Sequence, residues 1–408
     1  MNNSNIKLIL FLTVFIDLAG FGIILPLLPL YAQHYGAKPY EATLLLAVYS
    51  LMQFFFTPLW GSVSDRYGRR PVLLLTLSGT VIAYIGLGCS NQIWMLFVAR
   101  GLAGIMGANI AVAMACMADI TTPDNRSRGI GMLGAAIGLG LICGPAIGGI
   151  LTGSDRQNPN FYLPAFAAGG FSLLALTLAL KFLPESLSSE IKAKVKATRN
   201  QNNPLVSLLE VLQRPQLGLL VIMSFLVTFP FSSVQSTFPL WFEQQLSWEP
   251  KQIGYLFTFI GVVSATIQGG LVGLLTKRFG EHKVLVLGVT AFGLGLLLVP
   301  FSRSLALLLS AVTLLAGGFA LSQTTVSSLS SRLAVAEQQG KTLSIVNSAS
   351  ALARIGGPTW AGFSFTGFGS SAPFLSGALV MLVAFALSWR IFKNPLVPDA
   401  SIVSTPEI

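Results

Sequence analysis

The 408-residue chain is 53% hydrophobic and only 10% charged, with a formal net charge of +10 and a mean hydropathy of +0.72. A soluble chain of this length carries about a quarter charged residues, so the composition excludes a water-covered globule and demands lipid as the outer solvent. The positive balance does not point to nucleic acid, because the basic residues are spread over many connections instead of forming one soluble face.

Apolar stretches of about 20 residues, each long enough to cross a bilayer as a helix, recur from end to end. In chain order they cover 6–31, 41–63, 72–90, 93–117, 127–151 and 161–183, then 216–241, 252–275, 283–301, 304–329, 341–366 and 371–392. The first is too long for the apolar core of a secretory signal and continues directly into the second, so it reads as a retained anchor. The stretch 184–215 is polar and reads as a central linker or surface helix, and 393–408 as a short tail. The predicted fold is all-α, with six-helix bundles over 1–183 and 216–392.

Basic residues set the expected orientation. With twelve spans both termini share a side, and nineteen of the 25 basic residues fall in connections on that side. Only Lys38, Arg156, Lys251 and Arg303 lie in the opposite connections, which places both termini in the cytoplasm. Arg100 and Arg354 are left inside spans.

The halves repeat each other in the same sense. Pro29-Leu-Tyr31 aligns with Pro239-Leu-Trp241, and Gly61-Ser-Val-Ser-Asp65-Arg66-Tyr-Gly68 with Gly273-Leu-Leu-Thr-Lys-Arg-Phe-Gly280. Leu102-Ala-Gly104 aligns with Leu315-Ala-Gly317, and Gly144-Pro145 with Gly357-Pro358. Four landmarks at nearly one offset describe a duplicated six-helix unit, a plan used by secondary transporters.

Cys89, Cys116 and Cys143 sit in apolar runs and read as packing residues. His34 and His282 stand alone in polar connections, so no metal site is expected. No nucleophile–base constellation or cofactor motif occurs in the loops, which argues against an enzyme.

Four stretches carry chemistry. Gly61 to Gly68 continues into Arg69-Arg70-Pro71 as the short turn between spans 2 and 3, where Gly68 permits a tight reversal and Pro71 suits a first helical turn. Asp65 would be stabilised there by Arg69 or by a helix N-terminus; the alternative is a solvated turn that only fixes topology. Gly134-Ala-Ala-Ile-Gly138 and Gly144-Pro145-Ala-Ile-Gly148-Gly149 in span 5 allow close helix approach, with Pro145 perturbing the backbone ladder, as a hinge or as plain packing. Asp17 lies about 15 Å into span 1, and Arg100 and Arg354 lie within spans 4 and 11. A charge exposed at the bilayer centre costs at least about 2.5–3.5 kcal/mol, so each is expected to avoid lipid.

These residues resemble the signature of the major facilitator superfamily over the whole chain. The turn motif matches the family's hallmark, and Arg100-Gly-Leu-Ala-Gly104 resembles the intramembrane arginine motif of its proton-coupled members. The span 5 glycines resemble its antiporter motif. Asp17-Leu-Ala-Gly-Phe-Gly22-Ile-Ile-Leu-Pro26-Leu-Leu-Pro29 resembles the first helix of drug:proton antiporters, the tetracycline exporters in particular. The resemblance implies two bundles rocking around a central cavity lined partly by helices 1 and 4. It also implies a cytoplasmic latch of Asp65, Arg69 and Asp119, with Gly61, Arg66, Gly68 and Arg70 shaping its turn.

On this reading Asp17 couples transport to protons, and Arg100 tunes it or anchors a water; the alternative is a static buried ion pair. A carboxylate poised between burial and a nearby arginine can load a proton on one side and release it on the other. From helix number, Gln53, Asn109, Phe229, Gln235, Gln268 and Gln323 fall in the cavity, an aromatic surface with neutral polar groups suited to amphipathic compounds. Arg354 could bind an anionic group, pair with Asp17 in one state, or rest on carbonyls. The expected function is proton-coupled export of lipophilic or amphipathic small molecules from the cytoplasmic (inner) membrane by a monomer, with no cofactor beyond the proton gradient. A specific metabolite carrier and a non-transporting sensor or scaffold are the rivals. Tetracycline exporters, as a family, carry further acids in helices 3 and 9; here 71–90 and 283–301 contain none, so tetracycline is not expected as the main substrate.

Overall fold

The computed structural model describes residues 3–107, 109–155, 159–187, 215–333 and 339–393, and these are helical with short connections. Most of the linker predicted at 184–215 and the tail beyond Lys393 lie outside the described residues. Among the described residues, eleven helical segments are long and apolar enough to cross a membrane; a twelfth, Gln339–Phe368, is 30 residues long and more polar.

The first span is broken into α1 (Asn3–Ile24) and α2 (Leu28–His34). Pro26 has no N–H to donate and biases the preceding residue away from helical geometry, so the chain turns before Pro29 restarts it. There follow α3 (Pro39–Tyr67), α4 (Arg69–Gly88), α5 (Ile93–Met106), α6 (Asn109–Asp119), α7 (Pro123–Thr152) and α8 (Tyr162–Phe182). The second half runs through α9 (Pro215–Leu246), α10 (Pro250–Thr266), a π-helical turn (Ile267–Leu271) and α11 (Val272–Phe279). It ends with α12 (Glu281–Leu298), α13 (Leu305–Leu333), α14 (Gln339–Phe368) and α15 (Ala372–Lys393). The predicted spans are all present, but spans 1, 4 and 8 are interrupted. The break in span 4 is stabilised by Gln53, whose amide donates to the Gly107 carbonyl at 3.0 Å; that carbonyl would otherwise lack a partner at a helix end.

By contact the chain divides into two compact units, Met1–Gln201 with Gln235–Gly261, and Asn202–Val234 with Val262–Ile408. In the first, α1 packs along α7 and α8, and α4 along α8. Leu10, Val14, Leu73, Leu77, Met117 and Leu133 form its core. In the second, α12 is central, packed on α13 and α15. Gly295 and Gly318 lie where the facing helix's backbone occupies the space of a Cβ, the close approach by which helices associate in lipid.

Candidate functional site

Asp17 is buried, 5% exposed, in the middle of α1. Ser172 of α8 donates its hydroxyl to Oδ1 at 2.8 Å, and Asn109, the first residue of α6, donates its amide to Oδ2. Two neutral donors from two helices therefore hold the carboxylate. Asn109 was expected in the cavity from its helix alone; Ser172 was missed, because a serine in an apolar helix ordinarily bonds back to its own backbone.

Arg100 is buried at 2% exposure, yet the structure gives it aromatic neighbours in place of Asp17. Its guanidinium lies 4.4 Å from the Tyr49 ring centroid and 5.8 Å from that of Phe21, distances at which a cation is drawn to a ring. Nε and Nη1 have no hydrogen-bond partner among the described residues. Tyr84, buried in α4, lies within electrostatic reach of both Asp17 and Arg100. Arg354, unlike these two, is exposed on α14.

The antiporter-motif helix α7 presents two small-residue faces. Gly144 and Gly148 lie against the backbone of Ala19, Gly22 and Ile23 in α1, as does Gly140, which the motif did not single out. Gly149 and the Pro145 carbonyl lie against Pro250 and Gly254 of α10, where Thr258 also donates to the Ile142 carbonyl at 3.0 Å. Gly134 and Gly138 approach nothing closely. One helix thus touches the Asp17 helix on one side and the start of α10 on the other.

At the opposite end of α1's bundle, the Gly61–Pro71 turn forms a dense ionic cluster. Arg69 binds Asp65 at 2.5 Å through Nη1 and Asp119 at 3.0 Å through Nε, and Nη1 also donates to Ser64 Oγ at 2.7 Å. Gly68, at φ +120°, makes the reversal. Arg70 donates to the Leu180 carbonyl at 2.8 Å, and Arg66 is exposed over the Tyr67 ring. Glu185, which the sequence did not flag, accepts the Arg69 and Arg70 backbone N–H groups at 2.8 and 3.2 Å. It satisfies donors that a helix start leaves open and sits at the favourable end of the helix dipole.

The second unit repeats this arrangement with its charges exchanged. Glu281, the counterpart of Arg69 in the repeat, pairs with Arg332, the counterpart of Asp119, at 3.2 Å, and Ser328 donates to Glu281 at 2.6 Å. The helix expected to start at Lys283 starts at Glu281, because Gly280 at φ +81° ends the turn two residues sooner. The ninth span therefore does carry an acid, at its first residue.

Of the remaining cavity candidates, Phe229 and Gln323 both lie in the second unit. Phe229 lies against Gly356, and its neighbour Thr228 donates to Ser350 at 3.3 Å and, at a long 3.5 Å, to Gln323. Gln235 is half-buried in the first unit, and Gln268 is exposed on the π-helical turn.

The comparisons with known proteins agree with this architecture. The sequence profile of the Major Facilitator Superfamily matches residues 10–273 and again 220–407. The chain is 30% identical to the class H tetracycline resistance protein of Pasteurella multocida over 99% of its own length and 100% of that protein's. It is 28% identical to multidrug resistance protein 2 of Bacillus subtilis over 96% of each. Among solved structures, the human organic anion transporter MFSD10 superposes with a TM-score of 0.70 at 26% identity, covering 95% of this chain and all of that one. A duplicated helical unit, a buried acid in the first span and a profile that matches twice identify a multi-pass membrane protein belonging to the major facilitator superfamily.

Proposed function

We propose that this protein exports lipophilic or amphipathic small molecules across the cytoplasmic membrane in exchange for protons, with Asp17 as the proton-binding group. The observation that carries the reading is the way Asp17 is held: a buried carboxylate bound by Asn109 and Ser172 with no ion pair among the described residues. A guanidinium in contact would fix the charge permanently. A serine hydroxyl can instead donate to the carboxylate or accept from the carboxylic acid, so the site has partners in both protonation states. Exchanging these partners would bias one conformation against the other. The contacts of α7 with both α1 and α10 give that bias a mechanical route. Arg100, with two N–H groups open, would hold a water or an anionic group of the substrate. Both termini are cytoplasmic on the charge distribution, and the working unit is a monomer.

A second reading, export of a tetracycline–magnesium chelate, is favoured by the full-length similarity to tetracycline resistance proteins. Weighing against it, α4 carries no acid, and the acid of α12 lies at its first residue, bound to Arg332 and Ser328. Collapse of a proton gradient in everted vesicles separates the two. Amphipathic compounds should collapse the gradient, and tetracycline with magnesium should have little effect. Response to tetracycline alone would establish the second reading, and no response to any compound would refute proton-coupled export.

A further inference from the structure

The outer face of the second unit carries a groove of about 460 Å³ between α12 and α15. Gly293 and Ala378 lie in its lining, small residues that leave a hollow between taller neighbours. Those neighbours, Leu294, Leu297, Leu379 and Leu382, are 43% to 64% exposed, so the groove opens toward lipid. The polar side chain in the lining, Thr290, donates its hydroxyl to the Val286 carbonyl at 2.8 Å. The hollow therefore offers a ligand hydrocarbon alone, at a size in the range of small-molecule sites.

At one end the groove leads to where α12 starts and α15 finishes. Phe385, in the lining, stacks on Trp389 with centroids 6.0 Å apart, and Trp389 lies 5.4 Å from Phe392. Trp389 is exposed, and tryptophan favours the level at which hydrocarbon meets headgroups. Beyond this ladder Arg390 and Lys393 are exposed in the last turn of α15. Lys283 is exposed in the first turn of α12, two turns before Thr290 and so on the same face. A rise of about 1.5 Å per residue puts Lys283 and Lys393 about 9–12 Å beyond the near end of the groove. None of the three cations makes an ion pair among the described residues. The acid at this end, Glu281, is buried and bound to Arg332, and neither helix holds another.

We propose that this groove binds one acyl chain of an anionic phospholipid whose headgroup is held by Lys283, Arg390 and Lys393. The lipid comes from the leaflet on the side of the basic connections, the cytoplasmic one on the charge distribution. A negative headgroup meets three cations there, and the aromatic ladder spans the glycerol region between head and tail. A second copy of the chain fits this face less well. Copies in one membrane share an orientation, so a two-fold pair would bring the same cations together. Neither the Asp17 site nor the direction of transport enters the assignment.

The test is native mass spectrometry of the full chain in detergent, which counts bound lipids and chain copies together. Palmitoyl-oleoyl phosphatidylglycerol is the probe, and phosphatidylcholine with the same chains is the neutral comparison. One phosphatidylglycerol per chain should bind at least about tenfold more tightly than phosphatidylcholine. Lys283→Gln, Arg390→Gln and Lys393→Gln together should remove that preference. Ala378→Leu, which fills the hollow and leaves every charge in place, should weaken phosphatidylglycerol binding about tenfold. The three cations are exposed, so their replacement spares the fold and remains informative if Ala378→Leu fails to insert. Equal affinity for the two lipids, an unchanged preference in the triple variant, full binding by a folded Ala378→Leu, or a dimer that Ala378→Leu separates would each overturn the proposal.

Discussion

Removing the guanidinium of Arg69 would leave two carboxylates without their shared partner, and the structure predicts that they do not suffer equally. The Asp65 side chain is 31% exposed and that of Asp119 only 11%. Exposed pairs couple by about 0.2–1 kcal/mol, whereas stripping one partner from a buried pair costs about 3–5 kcal/mol. Arg69–Asp119 lies nearer the buried limit, so its coupling should be about 2 kcal/mol. Arg69–Asp65 is shorter, but water screens its carboxylate, and about 1 kcal/mol is expected. Double-mutant cycles built from Arg69→Gln with Asp119→Asn and with Asp65→Asn, read by detergent-titrated unfolding of the purified protein, isolate each coupling. A coupling to Asp119 below that to Asp65, or two couplings near zero, would refute the argument from burial.

In transport, Asp65→Asn should slow turnover and leave substrate affinity intact, as measured by paired flux and binding assays, because the turn lies outside the proposed cavity and alters only the balance of states. Glu281→Arg should destabilise the second unit, and adding Arg332→Glu should recover part of the loss in the same unfolding assay; only part, because Arg332 is 69% exposed. Gly144→Val should abolish transport or insertion, since its Cβ would lie 2.6 Å from the Ala19 carbonyl oxygen, while Gly138→Ala, with open space around it, should be tolerated in flux and expression assays. Glu185→Ala should cost about 1 kcal/mol by releasing the start of α4, a loss readable as a lower unfolding midpoint.

The spans and their repeat were legible in the sequence because lipid imposes a length and a composition on every crossing. The Asp65–Arg69 pair was legible because a turn motif fixes its own register, whereas Asp119 was reached only through the family resemblance, which implies an acid at the end of helix 4. What escaped depends on rotation about a helix axis, which no short motif encodes in an all-apolar helix. Arg100 was expected to tune Asp17 or to anchor a water, and its placement against Tyr49 and Phe21 was not legible, just as Ser172 looked like any other serine in a membrane helix. Glu185 escaped for a different reason: it follows the last residues of α8 in an irregular stretch whose fold back onto α4 has no periodic signal. The exchanged charges of Glu281 and Arg332 were hidden because similarity-based alignment of the halves rewards matched residues and passes over complementary ones.

The central claim is that Asp17 carries the coupled proton, and proton-driven efflux by Asp17→Asn tests it most directly. Asparagine keeps the size of the side chain and its capacity to hydrogen-bond Ser172, but it cannot bind and release a proton near neutral pH. The purified variant, reconstituted in proteoliposomes beside the wild type, should fold and bind substrate, show no uphill transport when a proton gradient is imposed, and still exchange labelled for unlabelled substrate. Full gradient-driven transport by Asp17→Asn would place the coupled proton elsewhere and contradict the account.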